Sequence, residues 1–274
     1  MDKASMDKIR GSLVWLILCA TLLAAYSAKA QNDFCGLSNT SFKTGERISF
    51  KVYYNMSLLW VTAGIAHFTV YDDKVGDREV YHIVGDGKTL SSYEWFYKVD
   101  DRYESWIDKE TLLPHRFYRN VKEGNTKFTS LANFYQESQR ITTQQKSFPA
   151  PKCVQDVLSS IYYARNIDYS KYAPGSKIPF YMFLDDKVYS LYIKYLGKET
   201  MTTKYGTYKT IKIRPLLIEG TIFKGGEKMT IWISDDANHI PVRIDSPIIV
   251  GSIKVDLYQY ANLKNPFTAL IRKK

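Results

Sequence analysis

Trp106-Ile107-Asp108 running to Leu113-Pro114-His115-Arg116, and Trp232-Ile233-Ser234-Asp235 running to Ile240-Pro241-Val242-Arg243, repeat one pattern 126 positions apart. Each copy reads as a strand ending in Trp-Ile, a polar turn, an apolar residue, a proline and, two positions on, an arginine. That is how an antiparallel hairpin is written. The same punctuation appearing twice predicts an internally duplicated chain. The openings of the two halves agree as well: Gly45-Glu46-Arg47-Ile48-Ser49-Phe50 matches Gly175-Ser176-Lys177-Ile178-Pro179-Phe180, placing the halves at about 42–146 and 172–264.

Working outward from the hairpins, aromatic residues make up 15% of the chain, led by 22 Tyr and 13 Phe, and they fall largely on alternating positions, which favours sheet. Ile48, Phe50, Val52 and Tyr54 alternate with polar neighbours, as do Ala66, Phe68 and Val70, and each run reads as a strand with two unlike faces. Gly, Asp and Asn cluster where turns belong, at Gly85-Asp86-Gly87, Gly124-Asn125, Asp185-Asp186 and Asp235-Asp236. One segment breaks the period. From Val154 to Arg165 the apolar residues Val154, Val157, Leu158, Ile161 and Tyr162 follow helical spacing, with Pro149 and Pro151 before them. Around Ser91 to Tyr97 a short helix and a strand fit equally well. The fold class that follows is mainly β: an antiparallel curved sheet or incomplete barrel built from two similar halves with one helix between them, its edges covered or closed.

The N-terminus carries Lys3, Lys8 and Arg10, an apolar run from Leu13 to Ala25, and Ala28-Lys29-Ala30, which together read as a secretory signal peptide over residues 1–30 cleaved near Ala30. The run is shorter than the roughly 20 residues a membrane span needs. The expected product, residues 31–274, is a single β-rich domain in the periplasm or at the cell envelope. It holds 34 basic and 26 acidic residues, a net charge of +8. Export, together with cations scattered through alternating strands, argues against nucleic acid and for an anionic membrane surface, touched peripherally, or an envelope glycan. Cys35 and Cys153 survive cleavage, and in an oxidising compartment the two form a candidate disulfide; two separate thiols are the alternative.

Gly45-Glu46 with its strand, Ala63-Gly64-Ile65-Ala66, the helix from Asp156 to Arg165, and Trp232 through Pro241-Val242-Arg243 to Val250-Gly251-Ser252 resemble the exported bacterial family catalogued as domain of unknown function 3108. That resemblance covers most of the mature chain and implies an exported protein, but it brings no established activity and no catalytic residues. More distantly, the tryptophan hairpins resemble those of periplasmic lipoprotein carriers and the related stress-sensor domains, whose incomplete barrel holds acyl chains.

Catalytic templates find no match. His67, His82, His115 and His239 form no helical pair and have no cysteine partners at zinc spacing, although His67 and His82 fall on strands that are expected to be neighbours. No motif asks for a cofactor or a metal. Asp100-Asp101 and Asp235-Asp236 read as turn residues, with one carboxylate from each half forming a cross-half pair only if the pseudo-symmetry brings them together. The expectation is therefore a non-enzymatic binder of a lipid or other amphiphile in an apolar cavity of the sheet. A glycan-active or glycan-binding protein, or a structural partner of another envelope protein, are the alternatives. Candidate contacts to an anionic head are Arg165 and Tyr162 at the helix end and Arg116 and Arg243 of the two hairpins.

Overall fold

Alternating side chains produce long two-faced strands, and these dominate a computed structural model that describes residues 35–56, 59–218, 225–248 and 251–273. The expected signal peptide lies outside the described residues. The first half contains β1 (Arg47–Met56), β2 (Leu59–Val75), β3 (Arg78–Thr89), β4 (Asp100–Asp108), β5 (Pro114–Glu123), β6 (Thr126–Tyr135), β7 (Arg140–Thr143) and β8 (Ser147–Pro149). Helix α1 (Val157–Ala164) follows. The second half contains β9 (Lys177–Leu184), β10 (Lys187–Thr202), β11 (Gly206–Pro215), β12 (Thr230–Ser234), β13 (Pro241–Pro247) and β14 (Ser252–Ala261), and β15 (Leu270–Lys273) pairs with β11. Between Ser91 and Tyr97 the chain makes only a 3-10 turn at Ser91–Tyr93.

Each half is an antiparallel meander, and the first strand of the first half pairs with the last strand of the second, β1 with β14, so that one curved sheet runs from β8 to β9. It does not close into a barrel. The duplication extends to individual bonds. Trp106 stands opposite Arg116, then a bulge sets Ile107 opposite Pro114; Trp232 stands opposite Arg243, then a bulge sets Ile233 opposite Pro241. The Asp108 N–H donates to the Leu113 carbonyl at 2.9 Å, and the Ser234 N–H to the Ile240 carbonyl at 2.8 Å. Each turn passes through a left-handed residue just before that carbonyl, Leu112 at φ 58° and His239 at φ 45°. The two indoles even donate alike, Trp106 to Asp73 on β2 at 2.8 Å and Trp232 to Glu199 on β10 at 2.5 Å.

The inner face of the sheet is filled. α1 packs between β4 and β9, and Leu158, Tyr162 and Tyr163 join side chains of both halves, among them Ile83, Phe117, Phe134, Ile178 and Phe183, in one core. The helix starts three residues later than its apolar spacing suggests, because Gln155 serves the sheet: its N–H donates to Tyr181 and its carbonyl accepts from Phe183, both at 2.8 Å. That parallel bridge covers part of the open edge of β9.

Asp156 caps the helix. Its carboxylate accepts the Ser159 N–H at 2.8 Å and the Ser105 hydroxyl at 2.6 Å, while the Ser159 hydroxyl accepts the Asp156 N–H, completing a capping box. Burial outweighs these hydrogen bonds and pushes the Asp156 carboxyl up to about 7. A carboxyl raised in the folded state holds its proton there while the unfolded chain releases it, so this group costs stability as pH rises from about 4 to about 7. Asp156→Asn, which keeps a cap, is expected to flatten that fall, and Asp156→Ala to lose about 1–2 kcal/mol of capping. Urea midpoints across the window check both; a fall equally steep in Asp156→Asn refutes the assignment.

Candidate functional site

The expected head-group contacts are not gathered at one mouth. Arg165 is 3% exposed, and its guanidinium donates to both oxygens of Glu46 at 2.6 and 2.8 Å, to the Ser41 carbonyl at 3.1 Å and to the Asn238 carbonyl at 3.0 Å. It lies 5.5 Å from the Phe42 ring and 5.0 Å from the Tyr162 ring, so it is a core ion pair with no face turned to a ligand. Tyr162 is equally enclosed, its ring 4.8 Å from that of Phe42, and burial pushes its hydroxyl up. Arg116 and Arg243 stand on the outer face, in different halves. Arg243 grips Asp256 through two bonds at 2.6 and 2.7 Å, while Arg116 lies 5.6 Å from the Trp106 ring and donates to Asn133.

The histidines are likewise absorbed by neighbours. His67 meets the Ser49 hydroxyl at 2.8 Å, and burial lowers its pKa; His82 meets Glu104 at 2.6 Å and stacks on Trp106. Although β2 and β3 are adjacent, His67 stands opposite Asp86 and His82 opposite Tyr71, so the two rings are not partners. Among the described residues no group of three or more His, Cys, Asp or Glu side chains is placed to hold a metal. Nor do the aspartate doublets meet. Asp100-Asp101 opens β4 at one end of the sheet, and Asp235-Asp236 follows β12 at the other.

What the sheet does build is a cleft where it fails to close. β7 pairs with β6 only from Ala132 onward, so the first residues of β6 have a free edge, and the β9–β10 turn faces it. The cleft, about 160 Å³, is lined by Phe117, Leu131, Ala132, Phe183 and Leu184, with Arg119, Ser130, Gln144 and Asp185 among its polar groups. Arg119 is only 7% exposed. It donates to the Ser130 hydroxyl at 2.8 Å and to Asp185, and its guanidinium lies 5.0 Å from the Phe128 ring. Asp185 and Asp186 are both left-handed, at φ 49° and 58°, where a two-residue hairpin turn favours Asn or Gly. The carboxylates earn that strain by reaching across the seam, Asp185 to Arg119 and Asp186 to Lys146.

Beside Arg119 the inner face carries Tyr103, Asp101 and Glu123. Burial raises the Tyr103 hydroxyl to about 12. Burial, then the neighbouring Glu123 and Asp100, raise the Asp101 carboxyl to about 6 against the Lys122 N–H that it accepts. Asp101 and Glu123 hydrogen-bond each other. Carboxyls in direct contact are too close for either form of glycoside hydrolysis, which needs a separation of about 5 Å or more.

A family model described as protein of unknown function, DUF3108, matches residues 49–258. The chain belongs to the DUF3108 family. No curated protein matches it in sequence. Among solved structures, a β-barrel-like protein of the DUF1849 domain from Brucella abortus is similar with a TM-score of 0.53 at 8% identity, covering 82% of this chain and all of that one. A Bacteroides fragilis protein with a YmcC-like fold, inferred to be exported, aligns over the same shares at 10% identity with a TM-score of 0.35. The first likeness supports the barrel-like architecture. In this DUF3108 chain Arg119 did carry a signal in the sequence: it lies in phase with Phe117 and Val121, a cation on the apolar face of its strand.

Proposed function

We propose that this protein is an exported, non-enzymatic cell-envelope protein that binds the anionic head of a lipid or other amphiphile at the seam of its open sheet. One observation carries the reading: Arg119, nearly enclosed, stands in a cleft whose lining is part apolar, from Phe117, Leu131, Phe183 and Leu184, and part polar, and its partner Asp185 sits on a turn with a side chain 61% exposed. A carboxylate or phosphate entering the cleft replaces Asp185 on the guanidinium, whose planar fork matches either anion. The cleft is close in size to a cavity that holds one benzene ring, so it takes a head and the first carbons and leaves the rest of a chain outside. This differs from an acyl chain held in a hollow barrel, because the inner face is occupied by α1 and the core.

Titration with lauric acid and dodecyl phosphate, read by native mass spectrometry and calorimetry, tests the proposal. Arg119→Met is expected to weaken binding by roughly tenfold or more, the loss of one charge-assisted contact. Asp185→Asn, which suits the left-handed turn, removes the competing carboxylate and is expected to tighten it. Binding that ignores both substitutions, or no binding of either probe, rejects the reading.

A further inference from the structure

The two ends of the sheet differ in chemistry. At one end the connections are polar: Gly76-Asp77 between β2 and β3, Lys109-Glu110-Thr111 between β4 and β5, Gln136 to Gln139 between β6 and β7, and Asp235-Asp236 after β12. Exposed tyrosines occur at both ends, among them Tyr71, Tyr135 and Tyr260 at the polar one, but at the other tryptophan and phenylalanine stand in solvent as well. Trp95 is 76% exposed, Phe96 49%, Tyr97 41% and Trp60 40%.

These four belong to one region. β4, β3, β2, β1, β14 and β13 are successive neighbours, so the β3–β4 connection, the start of β2 and the start of β14 line one edge. The Phe96 ring lies 5.5 Å from that of Tyr54 on β1, Trp95 lies 6.0 Å from Phe96, and Lys254 of β14 stands 4.0 Å over the ring of Trp60. The Trp95 indole N–H donates to the Ser92 carbonyl at 3.0 Å, which satisfies its polar atom within the loop. Lys98 flanks the same loop, paired with Glu94 at 2.8 Å.

We infer that this aromatic end docks on an anionic lipid bilayer surface. Tryptophan and tyrosine are the side chains that settle at the boundary between lipid and water, and a ring beside an ammonium group suits an anionic headgroup layer. The formal net charge, +10 for the whole sequence and +8 for residues 31–274, acts in the same direction. The β9–β10 turn and the first residues of β6, which border the seam cleft, lie at this same end, so docking brings the cleft to the lipid. The docking surface stands on the aromatic residues and does not depend on what the cleft binds.

Co-sedimentation tests it, using protein expressed from the full-length sequence, its N-terminus read by mass spectrometry, and phosphatidylcholine vesicles with and without phosphatidylglycerol. The expected result is binding to the anionic vesicles that weakens with salt, with a blue shift of tryptophan emission. Trp60→Ser/Trp95→Ser, both at exposed sites, should keep the wild-type circular dichroism and bind roughly tenfold more weakly or worse. Arg119→Met, which disables the cleft, should lose less vesicle binding than the tryptophan pair, which separates failure of this surface from failure of the cleft. Absence of vesicle binding overturns the inference, as does undiminished binding by the double variant. Self-association through this end, or retention on envelope glycan, with no vesicle binding, does the same.

Discussion

Glu46→Leu is expected to destabilise the protein by about 3–5 kcal/mol, since it strands the Arg165 guanidinium in the core. Glu46 is fully buried and Arg165 3% exposed, so neither charge reaches water when its partner is lost. Arg165→Met should cost a similar amount by stranding the carboxylate. The double variant Glu46→Leu/Arg165→Met is expected to be more stable than either single one, because apolar groups of similar volume replace a buried pair at little cost. It will not recover everything, since the Ser41 and Asn238 carbonyls lose the donors that Arg165 supplies. Urea unfolding of the three variants decides the matter. Losses under about 1 kcal/mol for the singles, the range of an exposed pair, sink the argument.

Periodicity made the sheet legible, and repetition made its duplication legible, because both are properties of spacing along the chain. The Trp-Ile and Pro-x-Arg punctuation specified a hairpin that reappears with the same bulge and the same left-handed residue. α1 starts three residues past Val154, where the apolar helical spacing begins, because Gln155 pairs with the uncovered edge of β9 instead. The site was harder to read. Arg165 looks from its place at a helix end like a cation facing solvent, and only tertiary structure sets Glu46 against it from 119 residues away. Arg119 was missed, although its strand parity with Phe117 and Val121 was a signal that could have found it; Asp185 and the free edge of β6 depend on where the sheet stops. That is settled by how the far ends of the two halves meet.

Cutting the bond between Cys35 and Cys153 is the other change of comparable size. The structure joins them in a disulfide across 118 positions, and closing a loop of that length removes about 4–5 kcal/mol of unfolded-state entropy in the chain-entropy model. The bond tethers a strap, residues 35–46, which crosses the end of α1. There the Leu37 N–H donates to the Tyr163 hydroxyl at 3.1 Å, the Thr40 N–H to Asn166 at 2.7 Å and the Ser41 hydroxyl to the Arg165 carbonyl at 2.6 Å. The same strap delivers Phe42 to the core and Glu46 to Arg165, so the disulfide and the ion pair hold one element. Their losses are therefore expected not to add: Cys35→Ser/Cys153→Ser combined with Glu46→Leu should cost less than the sum of the two separately. Cys153 has φ 58°, a left-handed position, so Cys153→Gly should be milder than Cys153→Ser by about 1 kcal/mol. Urea midpoints with and without reductant measure all of this. A reduced protein as stable as the oxidised one shows that the strap is held by its other contacts alone, and strict additivity with Glu46→Leu shows that the bond and the ion pair hold separate elements.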